Sequence, residues 1–265
     1  MTTARPLTRT LGAPQSIQGI AFAPGTDVYF GLDDRLTLCV IPEDQEILGI
    51  PCARGLVHFH PTGEVAQATL SRPATIRGVS FSAGTLVSWN EDGTLAAHVL
   101  DEHTIDDVPV PCRGNVVLCA EGTLMRWSRR LQGAEIIAGI PCQAGSVATF
   151  YASGKPERLT VGSDVEIGGV VALAGTDIEF HENGRVSVVT VAEPCERGGI
   201  HVEDGTPLIF REDGTLSVVH LVDDLDVNGV IYTAGTYLNF DESEQLASHV
   251  TISWSVGSHA RAERV

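Results

Sequence analysis

Aliphatic residues recur along this chain at intervals near thirty, usually behind a glycine: Ile20, Ile50, Val79, Val110, Ile140, Val170, Ile200 and Val230. After each anchor a glycine opens a stretch in which apolar and polar positions alternate. One apolar column runs Val28, Val57, Val87, Val116, Ala148, Ile178, Leu208, Leu238, and a second runs Phe30, Phe59, Trp89, Leu118, Phe150, Phe180, Phe210, Phe240. Between them sit mostly polar residues such as His58, Ser88, Thr149, Glu179 and Asn239. Period-two alternation predicts a strand with one buried and one wet face.

A polar turn with glycine follows the aromatic column, as in Glu91-Asp92-Gly93 and Glu212-Asp213-Gly214, and glycine there admits positive φ. The next segment opens on an aliphatic residue and places another five positions on, as from Leu216 to Leu221. An odd spacing changes faces, which predicts a bulge in that segment. The reading is therefore all-β: about eight tandem 30-residue repeats of three short strands each. An odd number of strands in an antiparallel meander would invert alternate repeats, and no sixty-residue alternation is visible. A β-solenoid with one turn per repeat is favoured on that ground. The alternative is an antiparallel hairpin array, which the Asp-Gly turns suggest. Residues 1–16 form an N-terminal segment with a partial repeat, residues 17–254 a single β-repeat domain, and residues 255–265 a polar C-terminal tail. Val250, Ile252 and Trp254 are expected to close the last rung.

With 43% hydrophobic and 19% charged residues, the composition supports a folded core and excludes a disordered chain. A net charge of -17 argues against nucleic acid, whose phosphates require a basic stripe. No apolar run is long enough for a signal peptide or a membrane span, so no membrane association and a cytoplasmic location are expected. Cys52, Cys112 and Cys142 share one repeat column with Phe22 and Phe81 and are read as small buried hydrophobes. No C-x-x-C pair or histidine spacing marks a metal site, and no cofactor motif occurs.

Two groups of residues invite a functional reading. The fourth repeat carries Arg126, Trp127, Arg129 and Arg130, an arginine cluster around an aromatic residue in a chain with one lysine, Lys155. That chemistry is enriched at protein interfaces and predicts a binding patch for an acidic protein partner or for a second copy. The outward residues of the middle segment, Asp27, Tyr29, His58, Ser88, Thr149, Asp177, Glu179 and Asn239, form a candidate strip. Within it, Asp177 and Glu179 project from the same side of one strand and are candidates for an acid and base on a sugar substrate.

The glycine-punctuated aromatic phrases, G-x-x-x-F-x-x-x-G-x-L in outline from Ile17 to Val250, resemble bacterial MORN-like β-repeat proteins. Those units are shorter and richer in Tyr-x-Gly phrases. The resemblance implies a repeat-built scaffold that binds a protein, in some bacterial relatives as the neutralising half of a toxin pair. A non-enzymatic scaffold or protein-binding repeat module facing a basic partner is the leading expectation. The alternatives are a self-assembling structural β-solenoid and a carbohydrate-active β-solenoid enzyme. Near-constant repeat length leaves few residues for the long loops that wall a catalytic groove.

Overall fold

A computed structural model describes residues 8–253 and 261–264. Those residues form strands joined by turns, bends and irregular segments, with no helix among them. The chain divides into two compact units, Met1–Arg129 and Arg130–Val265.

The first unit is built on an antiparallel meander. Thr8–Thr10, Asp27–Phe30, Leu36–Ile41, Gly55–Phe59, Val65–Thr69, Leu86–Trp89, Leu95–His98, Asn115–Leu118 and Leu124–Arg130 pair in that order, each with the next. Small two-stranded hairpins interrupt it, such as Gln15–Ile17 with Ile20–Phe22 and Gln45–Ile47 with Ile50–Cys52. Their apolar residues Ile17, Ile20, Phe22, Ile47 and Cys52 pack in one core with Val28, Phe30, Val57 and Phe59 of the meander. The small hairpins thus cover one face of the sheet, and the opposite face stays open.

The second unit repeats the plan. Its meander runs through Val147–Tyr151, Pro156–Thr160, Asp177–Phe180, Val186–Thr190, Pro207–Phe210, Leu216–His220, Thr236–Phe240 and Leu246–Ser253, with Arg261–Arg264 pairing on the last. Small hairpins such as Val165–Ile167 with Val170–Ala172 and Cys195–Arg197 with Ile200–Val202 sit between its long strands. Ile178, Leu208 and Leu238 are fully buried, and Phe150, Phe180, Phe210 and Phe240 are buried beside them.

These pairings correct the favoured topology. A coiled solenoid stacks equivalent strands of successive turns in parallel, whereas every pairing described here is antiparallel, as in the alternative hairpin array. The parity reasoning failed because the first segment is two strands rather than one. The residue pair that precedes each anchor except Val110, for example Leu48-Gly49, Ala138-Gly139 or Asn228-Gly229, has positive φ at both positions. This is the backbone of a two-residue type I′ hairpin, whose twist matches that of its strands. Four strands per repeat is an even number, so an antiparallel meander keeps every copy in the same orientation.

The long hairpins also carry the expected bulge. Phe210 pairs with Leu216 but Ile209 with Val218, so Ser217 is an extra residue and Leu221 returns to the buried side. The same shift occurs beside Phe30, Phe59, Phe150, Phe180 and Phe240. The Trp89 hairpin lacks it: Ser88 pairs with Ala96 and Trp89 with Leu95 in continuous register. Val99 is accordingly the buried residue there and Leu100 is exposed.

A second correction concerns the fourth anchor. His103–Ile105 pairs with Val108–Val110 around Asp106-Asp107, so Val108, not Val110, stands where Ile140 stands. Val110 then takes the column of Cys142, and Cys112 falls beyond the strand and is exposed, while Cys52 and Cys142 are buried. Trp254 lies outside the described residues.

Candidate functional site

The four residues of the arginine cluster lie on one strand, Leu124–Arg130, but not on one surface. Strand alternation turns Trp127 inward, where it is 8% exposed and pairs across from fully buried Val116. Arg126 pairs with Val117 on the open side. Arg130 has the same parity as Arg126, is exposed, and donates from Nη1 to the Gly145 carbonyl at 2.6 Å. Arg129 shares the parity of Trp127 and is half-buried. Strand alternation thus divides the cluster, with Arg126 and Arg130 on the open side and Trp127 and Arg129 on the other.

Asp177 and Glu179 do share the open face, as their spacing requires. One guanidinium holds both: Arg158 Nε lies 3.3 Å from Asp177 Oδ2 and Nη2 lies 2.8 Å from Glu179 Oε1. Thr160 Oγ1 donates to Asp177 Oδ1 at 2.6 Å. Arg158 pairs with Glu179, and Thr160 with Asp177, in the strand register. The two carboxylates form a cross-strand ion cluster rather than a facing acid and base.

The rest of the predicted strip falls on the open faces, and register reveals what lies between its members. In the first unit a row crosses the sheet as Tyr29, Leu38, His58, Gln67, Ser88, Ala96, Val117 and Arg126. In the second a row runs Thr149, Arg158, Glu179, Val188, Ile209, Val218, Asn239. Asp27 and Asp177 stand one row over. The middle segment alone looked polar because the intervening strand supplies many of the apolar members. Val188, Ile209 and Val218 are consecutive and half-exposed. Nearby, His220 stacks on Tyr237 with ring centroids 4.2 Å apart.

A recurrent clasp ties the turns of neighbouring repeats. The residue after the aromatic column reaches the carbonyl of the next column member: His60 Nε2 donates to Trp89 O at 2.6 Å, Tyr151 Oη to Phe180 O at 2.5 Å and His181 Nε2 to Phe210 O at 2.9 Å. Arg211 does the same to Phe240. Burial, helped by the nearby carboxylates of Glu157, Glu182, Glu179 and Glu212, raises the Tyr151 phenol above its ordinary range and keeps it a donor.

In the first unit the clasp from His60 to Trp89 borders a surface cleft of about 830 Å³. Trp89 forms one wall, packed against the core yet half-exposed, unlike the buried phenylalanines of its column. Leu48 and Ile50 form the apolar floor, and Glu64, Arg77, Asn90 and Glu91 stand around it. Leu48 lines this space without bridging it. At the same hairpin position Gln18 accepts the Leu36 N–H and Asp106 accepts the Leu124 N–H, closing the gap to the next strand. Leu48 has no polar atom to do this, and it is 54% exposed at φ +51°. A bulky apolar residue in the left-handed region is uncommon, and such strain gathers at functional positions.

No protein-family model matches the chain, and no curated protein matches it. Sequence reasoning looked for departure in the fourth repeat and passed over the third. The signals were Trp89 in a column otherwise phenylalanine or leucine, Leu48 before a hairpin glycine of the second repeat, and a third segment without the extra residue of the other hairpins. Among the described residues no group of three or more His, Cys, Asp or Glu converges to hold a metal ion, and no helix is long and apolar enough to cross a membrane.

Proposed function

We propose that this chain is a non-enzymatic repeat module that binds another protein through the open face of a β unit. The observation that carries the reading is the run of Val188, Ile209 and Val218, adjacent by register and half-exposed on a face that the small hairpins do not cover. Aliphatic residues grouped on a rigid surface and rimmed by polar groups mark a contact surface. Asp177 and Glu179 flank the run, and the net charge of -17 steers a basic partner toward it. Toxin neutralisation is one task that suits such a surface. The pairing of both carboxylates with Arg158 favours binding over hydrolysis, since a glycosidase needs one acid and one base or nucleophile facing the scissile bond.

The test is affinity capture from the source organism with two baits, the natural chain and the Val188→Thr/Ile209→Thr/Val218→Thr variant. Threonine keeps the β-branched shape that a strand accommodates. The expected result is one stoichiometric partner held by the natural chain and lost from the variant at an unchanged thermal midpoint. Equal capture by both baits would overturn the assignment.

A further inference from the structure

We propose that the cleft beside Trp89 is a carbohydrate-binding subsite that seats one neutral pyranose ring against the indole. A sugar ring is apolar on its faces, where C–H bonds project, and polar around its rim, where hydroxyls both donate and accept. The cleft has the matching division. Trp89 and Leu48 offer apolar surface, while Arg77 and Asn90 supply donors and Glu64 and Glu91 supply acceptors.

Charge narrows the class of ligand. An anion would meet Glu64 and Glu91, and a cation would meet Arg77, whose Nη1 is anchored by the Gly93 carbonyl at 2.8 Å and the Cys119 carbonyl at 2.9 Å. A neutral polyhydroxylated ring incurs neither repulsion and can use both kinds of partner. The walls are also preorganised. His60 Nε2 is committed to the Trp89 carbonyl, and the backbone N–H of Gly93 donates to the Asn90 carbonyl at 3.0 Å, fixing the turn that carries Asn90 and Glu91. A site whose groups are already held loses less conformational freedom on binding. The volume of about 830 Å³ suits a short oligosaccharide more than a single small metabolite.

Calorimetric titration of the full chain with maltotriose, cellotriose, chitotriose and mannotriose tests the assignment, with trilysine and triarginine as charged probes. Two variants accompany the natural protein. Trp89→Leu removes the indole while retaining a residue that the column already accepts at Leu118, and Glu91→Gln alters an exposed turn residue. The expected result is binding of at least one neutral trisaccharide, weakened roughly tenfold or more by Trp89→Leu in a chain still folded at the assay temperature and measurably weakened by Glu91→Gln. The Val188/Ile209/Val218 variant should bind the same sugar normally, so this inference and the open-face reading fail separately. Three results would overturn it: no sugar bound by the natural chain, equal sugar affinity in both cleft variants, or Trp89-dependent binding of trilysine or triarginine. The last would make the cleft a receptor for a basic side chain. If Trp89→Leu does not fold, Glu91→Gln decides alone.

Discussion

Replacing Phe180 with alanine tests the packing logic of the whole array. Phe180 is 5% exposed and occupies the aromatic column of the second unit. Truncation removes a ring that contributes roughly 1.5–3 kcal/mol by buried area. Because the flanking strands are fixed by continuous pairing, the space closes only in part, and the cavity raises the expected cost to about 3–5 kcal/mol. For a chain of this size that corresponds to a fall of roughly 6–20 °C in thermal midpoint. Two companion variants make the measurement specific. Phe180→Leu should cost less than about 1.5 kcal/mol, since leucine fills the same column at Leu118 with 0% exposure. Glu179→Ala, one residue away, loses only a half-exposed ion pair with Arg158, worth less than about 1 kcal/mol. Urea unfolding followed by tyrosine and tryptophan fluorescence provides the midpoints. Equal losses for Glu179→Ala and Phe180→Ala would refute the assignment of faces, and an unmoved midpoint in Phe180→Ala would show that the ring carries no core packing.

Removing one clasp by Tyr151→Phe leaves the ring in place and deletes only the bond to the Phe180 carbonyl, so a loss of about 0.5–1.5 kcal/mol is expected in the same assay. Gly122→Ala would place a methyl group 2.0 Å from the Arg77 carbonyl at φ +94°, whereas Gly154→Ala at φ +78° meets nothing within 4 Å. Differential scanning calorimetry should show Gly122→Ala failing to fold or melting far earlier, and Gly154→Ala costing about 1 kcal/mol. Burial pushes the Cys39 thiol up to about 12 and the Cys52 thiol up to about 11, so a thiol reagent at neutral pH should label exposed Cys112 and leave these two until the chain unfolds. Their raised folded values mean that the associated stability is fully present below pH ~9, where both states hold the proton, and is lost as pH climbs toward 12. A Cys39→Ala/Cys52→Ala variant should therefore lose less stability than the natural chain between about pH 8 and pH 10.5; parallel losses would contradict the linkage.

Which residues face inward was legible because a strand's period of two converts directly into burial. Val28, Val57, Val87, Val116, Ile178, Leu208 and Leu238 are all buried where the alternation put them. Strand number was not legible at the same level. Ile47-Leu48-Gly49-Ile50 looks like one apolar run until both central residues are seen in the left-handed region, and leucine is a poor advertisement for that conformation. Missing that turn turned four strands into three and inverted the choice of topology. The fourth anchor slipped for a related reason: its hairpin turn is Asp106-Asp107 instead of residue-glycine, so the glycine cue was absent and Val110 was matched in place of Val108. Two residues of that slip return in Leu124–Arg130, a seven-residue strand where comparable strands such as Leu216–His220 have five.

The extended strand also divides the arginine cluster between two sides. Closely spaced residues on a strand alternate sides, so clustering in sequence places half of a group in the core, and Trp127 went there. The cleft arises in the opposite way. Leu48, His60, Arg77 and Trp89 span more than forty residues and carry no motif, yet each stands at a turn-end position of its repeat. Repetition brings such positions together because successive hairpins lie side by side, and a single departure changes the surface only where its neighbours cannot compensate. Leu48 leaves open a gap that Gln18 and Asp106 bridge in two other repeats, and Trp89 places an indole at its edge. A repeat array of this kind builds a site from missing bridges, so its functional residues are found by comparing columns across repeats rather than by reading along the chain.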